Sequence, residues 1–184
     1  MHIHILGASG SGVTTLGKAL AKQIDYPYFD SDTYFWLPSD PPFISRRPPE
    51  ERNPLLISHL AQHENWILGG SIFSWSEDVF LDYDLVVFLY LPPEIRLQRL
   101  RDREYERYGD IIYTDPERKL QYEIFMSWAV DYDEAKGLAK RTLPAHEAWL
   151  ETLNVPILEL RGDLTVQQRV DAIIKSMGEL RNMC

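Results

Sequence analysis

The run Gly7-Ala8-Ser9-Gly10-Ser11-Gly12-Val13-Thr14 carries the densest chemical signal in the chain. Its glycines let the backbone wrap closely, so that several N–H groups converge on one anion. A helical pattern follows at once, and its N-terminus adds partial positive charge. Thr14 stands where a hydroxyl ligates Mg²⁺ in loops of this spacing, and Val13 stands where such loops carry lysine. The pattern points to a phosphate-binding loop in which Gly7, Ser9, Gly10, Ser11, Gly12, Val13, Thr14 and Thr15 meet a nucleotide. The competing reading is a glycine-rich turn with no ligand. Valine cannot neutralise a transferring phosphoryl group. Either arginines from elsewhere take over that charge, or transfer is slow or absent. Lys18 lies one turn further on and is expected to point away.

The elements around this loop set its context. Residues 2–6 alternate as a strand, and Val13, Leu16, Leu20 and Ile24 recur at helical spacing. A second strand is expected at 26–29, ending in Asp30-Ser31-Asp32, and a third at Trp66-Ile67-Leu68 before Gly69-Gly70-Ser71. Leu85 to Leu91 is a continuous apolar run, the mark of a strand buried on both faces. A fifth strand is expected from Pro156 to Leu160. Helical spacing fills 50–63, 93–107, 116–130 and 143–152. Thr165 with Gln168 forms a capping-box signature for a closing helix to about 177. Strands alternating with helices predict a three-layer, doubly wound α/β fold with a five-stranded parallel sheet. Ligands of such sheets sit at the carboxyl ends of the strands. Gly7, Asp30, Gly69 and Gly162 all fall there.

The 184 residues fit one domain, 1–184, with no repeat and no low-complexity tract. Hydrophobic residues at 45% and charged residues at 26% give an ordinary globular balance. The formal net charge of −9 disfavours a nucleic-acid partner, since duplex binding rests on neutralising phosphates. Arginines nevertheless crowd between Arg96 and Arg107, so a small anionic ligand is the better expectation. The one cysteine, Cys184, allows no disulfide within the chain. No apolar run approaches a membrane span, and no signal-peptide layout is present, so a cytoplasmic setting without membrane contact is expected.

With these motifs in place, the chain resembles the adenylate kinase and shikimate kinase branch of P-loop kinases, closest to adenylate-kinase-like ATPases of bacteria. The resemblance implies the P-loop NTPase fold, with ATP as co-substrate and Mg²⁺. Tyr28-Phe29-Asp30-Ser31-Asp32 is similar to a shikimate kinase strand end. It implies that Asp30 supports the metal beside Thr14 and that Asp32 faces the acceptor. The bland alternative is a turn whose Asp caps backbone groups. Gly69-Gly70-Ser71 is similar to the strand end that approaches the acceptor, which makes Gly70 and Ser71 acceptor-binding candidates. Residues 93–103 resemble the helix entering the adenylate kinase lid. Arg99 and Arg103 share one face there and would neutralise charge during transfer. A salt-bridged solvent face is the alternative reading. Residues 104–122 would form the lid, and Gly162-Asp163-Leu164 would contact the adenine. Arg141 loosely matches a further phosphate-binding arginine after the lid.

Residues 37–54 hold six prolines and form an excursion from the core. In nucleoside-monophosphate kinases the acceptor-binding segment sits here, so 36–54 reads as an acceptor-side insert. Arg46 and Arg47 would hold an acceptor phosphate, and Trp36 or Phe43 would stack on a base or sugar. Loop packing is the alternative for any single aromatic. His59 and His63 lie four apart on a helix and read as surface histidines rather than metal ligands. The expectation is therefore ATP-dependent phosphoryl transfer to a nucleoside monophosphate or small hydroxyl compound, by a monomer or homodimer. Asp32, Arg99 and Arg103 would be its catalytic residues. The alternative is a nucleotide-binding regulatory protein or pseudokinase.

Overall fold

Five short apolar segments pair side by side to form the centre of the molecule. The structure is a computed structural model and describes residues 1–40, 42–75, 82–137 and 139–182. Cys184 lies outside the described residues. The strands are β1 (His2–Gly7), β2 (Tyr28–Asp30), β3 (Trp66–Gly69), β4 (Leu85–Tyr90) and β5 (Ile157–Arg161). All neighbours are parallel, in the order β2-β3-β1-β4-β5. The chain winds one way from β1 through β3, then crosses to β4 on the other side of β1. The end of β1 is therefore the topological switch point, where open α/β sheets leave a crevice for ligands.

Helices cover both faces. They are α1 (Val13–Ile24), α2 (Ser31–Phe35), α3 (Pro49–Leu60), α4 (Pro93–Tyr108), α5 (Ile111–Thr114), α6 (Pro116–Glu134), α7 (Leu143–Glu151) and α8 (Val166–Arg181). Ile3 and Ile5 of β1 and Leu85, Val87 and Leu89 of β4 point to one face, against Leu16 and Leu20 of α1 and Val170, Ile173 and Met177 of α8. Leu6, Val86 and Phe88 point to the other, against Leu150 of α7. Leu56 and Leu60 of α3 pack nearby on Trp66 and Leu68. Each such side chain, taken fully out of water, contributes about 1.5–3 kcal/mol.

The expected elements are present with shifted ends. The second strand is Tyr28–Asp30 rather than 26–29, because Tyr28 pairs with Ile67 and the pairing runs on to Asp30 and Gly69. Two short helices appear that hydrophobic spacing did not show. Helix α2 begins where the Asp30 carboxylate accepts from the Asp32 amide. Helix α5 sits between Gly109, at φ +62°, and Asp115, which caps α6 through the Arg118 amide. Helix α6 runs to Glu134 and α8 to Arg181, further than expected. The capping box at Thr165 and Gln168 is present as read. Among the described residues, no helix is long and apolar enough to cross a membrane.

Candidate active site

The glycine-rich loop leaves β1 at Gly7 and enters α1 at Val13. Gly10 at φ +86° and Gly12 at φ +96° take left-handed conformations that other residues resist. Side-chain atoms at Gly10 would also press on Leu100 of α4. Within the loop the Ser11 amide donates to the Ala8 carbonyl at 3.0 Å and the Leu16 amide to Gly12 at 2.9 Å. The amides of Ser9, Gly10, Gly12, Val13, Thr14 and Thr15 have no protein acceptor among the described residues. Gly12 offers no side-chain cap and the first turn of α1 holds no acid. Free amides plus the helix N-terminus make a cradle for an anion.

Thr14 and Asp30 meet at the mouth of this cradle. The Thr14 hydroxyl donates to the Asp30 carboxylate at 3.0 Å, as do the Tyr28 hydroxyl at 3.3 Å and the Asp32 amide at 3.1 Å. Burial, reinforced by the Asp30 carboxylate, pushes the Tyr28 hydroxyl up, so it remains a donor. A hydroxyl and a carboxylate are hard oxygen donors and suit Mg²⁺, which keeps several waters and leans on substrate phosphates. Among the described residues no group of three or more His, Cys, Asp or Glu forms a metal cage. His59 instead meets the Tyr34 hydroxyl at 3.0 Å, and the His63 ring lies against Phe29.

Asp32 remains open to solvent in the cleft. Crowding by surrounding protein pushes its carboxyl above the ordinary range. The Asp30 carboxylate adds to this, while Arg141 and Arg103 oppose it. Arg141 lies over the Trp128 ring at 5.4 Å. Burial lowers its pKa, Asp32 counters this, and Arg46 adds to it. Arg46 stacks against Phe35 at 5.6 Å and Trp36 at 5.7 Å. An antiparallel bridge between Trp36 and Arg46 ties the insert into a closed loop. Phe43 of the insert meets α4, where the Arg107 guanidinium sits 5.3 Å from the Phe43 ring. Asp32 thus lies within electrostatic reach of Arg103 and Arg141, and Arg141 within reach of Arg46, with the Trp36, Phe43 and Trp128 rings beside these arginines and Arg107.

Other expected residues stand differently. Arg47 donates to the Tyr34 carbonyl at 3.1 Å, which anchors the insert. Ser71 is buried, and its hydroxyl lies 2.9 Å from His146 Nε2, whose Nδ1 meets the Tyr132 hydroxyl at 2.9 Å. Ser71 therefore belongs to an internal network and not to the cleft surface. Gly70 stands at φ +100°, and a Cβ there would strike Ser31, so its role is to let β3 and α2 approach. Arg99 and Arg103 share a helix but serve different places. Arg99 pairs with Asp163 at 2.7 Å, while Arg103 pairs with Glu104 at 3.1 Å and faces Asp32. Arg99, Asp163, Leu164, Thr165, Val166, Arg169, Gly12 and Thr15 line a cavity of about 340 Å³ beside the loop. Gly162, at φ +99°, forms the turn behind it and accepts from Arg169 at 3.3 Å. Lys18 is exposed, away from the cradle.

Two residues that support the loop carry no readable signal in the sequence. Arg96 is 1% exposed and donates to the Ser9 carbonyl at 3.1 Å. Arg169 is 3% exposed and donates to the Ser11 carbonyl at 2.8 Å. Buried arginines aimed at main-chain carbonyls belong to no motif; only the position of Arg96 in the arginine-rich stretch hinted at one of them.

The sheet order and the loop define a P-loop protein with the fold of nucleoside-monophosphate and shikimate kinases. The chain belongs to the AAA domain family AAA_18, whose model matches residues 3–122. The uncharacterized protein YqaC of Bacillus subtilis is 41% identical over 173 residues, which cover 94% of this chain and 95% of that protein. A shikimate kinase of Burkholderia thailandensis is 28% identical over 136 residues, covering 65% of this chain and 71% of that enzyme. Among solved structures, deoxyadenosine kinase from M. mycoides with bound dATP superposes with a TM-score of 0.54 at 12% identity, covering 97% of this chain and 100% of that chain. At that identity the likeness is one of fold.

Proposed function

We propose that this chain transfers the terminal phosphoryl group of ATP to a small acceptor held in the arginine-lined cleft. The observation that carries this reading is the Thr14–Asp30 pair, 3.0 Å apart at the mouth of an amide cradle and next to the open carboxylate of Asp32. Gly7, Ser9, Gly10, Ser11, Gly12, Val13, Thr14 and Thr15 surround the phosphates through backbone and hydroxyl groups. Asp163 and Leu164 contribute to the cavity wall for the rest of the nucleotide, behind which Gly162 turns the chain. Thr14 and Asp30 would hold Mg²⁺ accompanying the nucleotide, and the ion would supply charge neutralisation at the phosphate oxygens. Arg103, and Arg99 once released from Asp163, stabilise charge on the group in flight. An acceptor oxygen bonds to the terminal phosphorus as its bond to the bridging oxygen of ADP breaks. Where the acceptor is a hydroxyl, its proton passes to Asp32, whose raised pKa suits a base. Residues 104–122, which span the end of α4, α5 and the start of α6, serve as the lid, and 36–54 as the acceptor-side insert of a single domain.

Arg46 and Arg141 lie close enough to repel, Arg46 against Trp36 and Arg141 against Trp128, with Phe43 next to Trp36. This favours an acceptor that combines an anionic group with a flat ring, a nucleoside monophosphate above a neutral polyol. Gly70 shapes the floor through its close approach to Ser31. The test is ATP consumption across nucleoside monophosphates and polyols, with ATP binding followed by calorimetry. Turnover on one acceptor is the expected result, and where that acceptor is a hydroxyl compound the turnover disappears in Asp32→Asn while ATP binding persists. A second reading rests on Val13, half-buried against the core with no charge to offer. It makes the chain a nucleotide-binding module, and binding without turnover on any acceptor would establish it.

A further inference from the structure

Two buried guanidiniums grip the underside of the phosphate loop, and they differ in one respect. Arg96 donates to the Ser9 and Ala129 carbonyls and pairs with the Asp133 carboxylate, so its charge is neutralised inside the protein. Arg169, on α8, donates to the Ser11 carbonyl at 2.8 Å and the Gly162 carbonyl at 3.3 Å. No carboxylate lies within ion-pair distance of it among the described residues, and its Nε, like that of Arg96, is buried without a hydrogen-bond partner. Asp163, the acid of the adjoining cavity, is paired with Arg99 at 2.7 Å. A guanidinium has five N–H donors, and the two carbonyls leave several unused. Burying a cation without a direct counter-charge is unfavourable unless something restores the balance.

The position of Arg169 shows where that balance lies. Its Nη1 stands 3.2 Å from the place a Cβ on Gly12 would occupy, and its side chain lines the same cavity as Gly12 and Thr15. Gly12 opens α1, whose first turn holds no acid and whose leading amides are free. The loop therefore combines an amide cradle, a helix N-terminus and, directly behind it, a fixed cation that has no direct ion-pair partner among the described residues and feels the Asp163 carboxylate only at a distance. The lysine of the usual pattern would reach over such a loop from above, and here that position is Val13. We propose that Arg169 supplies, from beneath the loop, the positive charge that holds a nucleotide di- or triphosphate in place of the missing lysine. It acts through the loop as a positioning residue, and the assignment rests on the nucleotide-binding reading given above.

Calorimetry on the full chain with ATP·Mg²⁺ and with adenosine separates phosphate recognition from general support of the cavity. Arg169→Gln is expected to weaken ATP·Mg²⁺ at least about tenfold, the scale of one lost charge-assisted interaction, with adenosine affinity kept within about twofold. Adding Val13→Lys to that variant is expected to recover most of the loss. Val13→Lys in the otherwise native chain is expected to tighten ATP by less than about threefold, because the charge is already present. The proposal is overturned if Arg169→Gln melts like the native chain and binds ATP equally well. Equal weakening of ATP and adenosine also overturns it, since that marks a purely structural clamp. Should Arg169→Gln not fold, native-background Val13→Lys decides, and tightening of tenfold or more rejects the idea. If the native chain takes up no ATP at all, the nucleotide reading itself fails, a result distinct from any behaviour of the variants.

Discussion

Gly70 stands at φ +100°, and Ser31 occupies the space a Cβ would need. Both penalties fall on one substitution: a left-handed backbone for a residue with a Cβ, and overpacking against the start of α2. Gly70→Ala is expected to destabilise the fold by about 2–5 kcal/mol, measured by urea unfolding. A loss below about half a kcal/mol, the scale of an ordinary surface change, would show that the strand end is loose. The Thr14–Asp30 contact makes a separate prediction. Thr14→Val keeps shape and removes the hydroxyl. It should weaken ATP·Mg²⁺ at least about tenfold while metal-free ATP binding falls much less, because only one metal-directed oxygen is lost. Equal weakening with and without Mg²⁺ would contradict the proposed role of Thr14 in holding the metal.

Helix α4 owes its place to Arg96, which ties the phosphate loop to α6 through Ser9, Ala129 and Asp133. Removing one partner of a buried ion pair leaves the other charge stranded, which costs more than the pair ever contributed. Asp133→Ala is therefore expected to lose about 3–5 kcal/mol of stability, while the exposed pair of Lys175 and Glu179 would lose under about 1 kcal/mol when broken. Thermal melts of the two variants compare these directly, and similar shifts would contradict the role given to Arg96. At this scale the sequence was readable where periodicity speaks. Strands β1, β3 and β4, helices α1 and α4, and the capping box of α8 followed from apolar spacing and cap residues. It was silent where a contact depends on distant chain. Helices α2 and α5 arise from a carboxylate cap and a glycine stop, too short for any periodic pattern. The sequence offers the Ser71 hydroxyl to a ligand because its buried partner His146, 75 residues away, leaves no local trace. The P-loop residues were legible as a unit, whereas the arginines that support them from α4 and α8 were not.

Across the whole molecule, two histidines are held neutral in the interior and link its layers. His4 of β1 is fully buried, with its Nδ1 3.2 Å from the Leu68 carbonyl and its ring stacked on Tyr83. His146 of α7 joins the end of β3 through Ser71 and helix α6 through Tyr132. Burial brings each down from 6.5 to about 4. The Leu68 carbonyl opposes this at His4, and repulsion from His146 there and from Arg141 at His146 adds to it. In the unfolded chain both would titrate near 6.5. The unfolded state therefore binds more protons than the folded state between the two values. Stability from these residues is complete above pH 6.5 and drains away as pH falls toward 4. By pH 5 the linkage amounts to roughly 2 kcal/mol for each histidine, before the carboxylates contribute. Urea midpoints measured between pH 7.5 and 5 should fall steadily on this account, with ring protons of both histidines showing no titration above pH 5. A flat midpoint across that range, or a histidine titrating near 6.5 in the folded protein, would mean the polar tie between β3, α6 and α7 is not closed in solution.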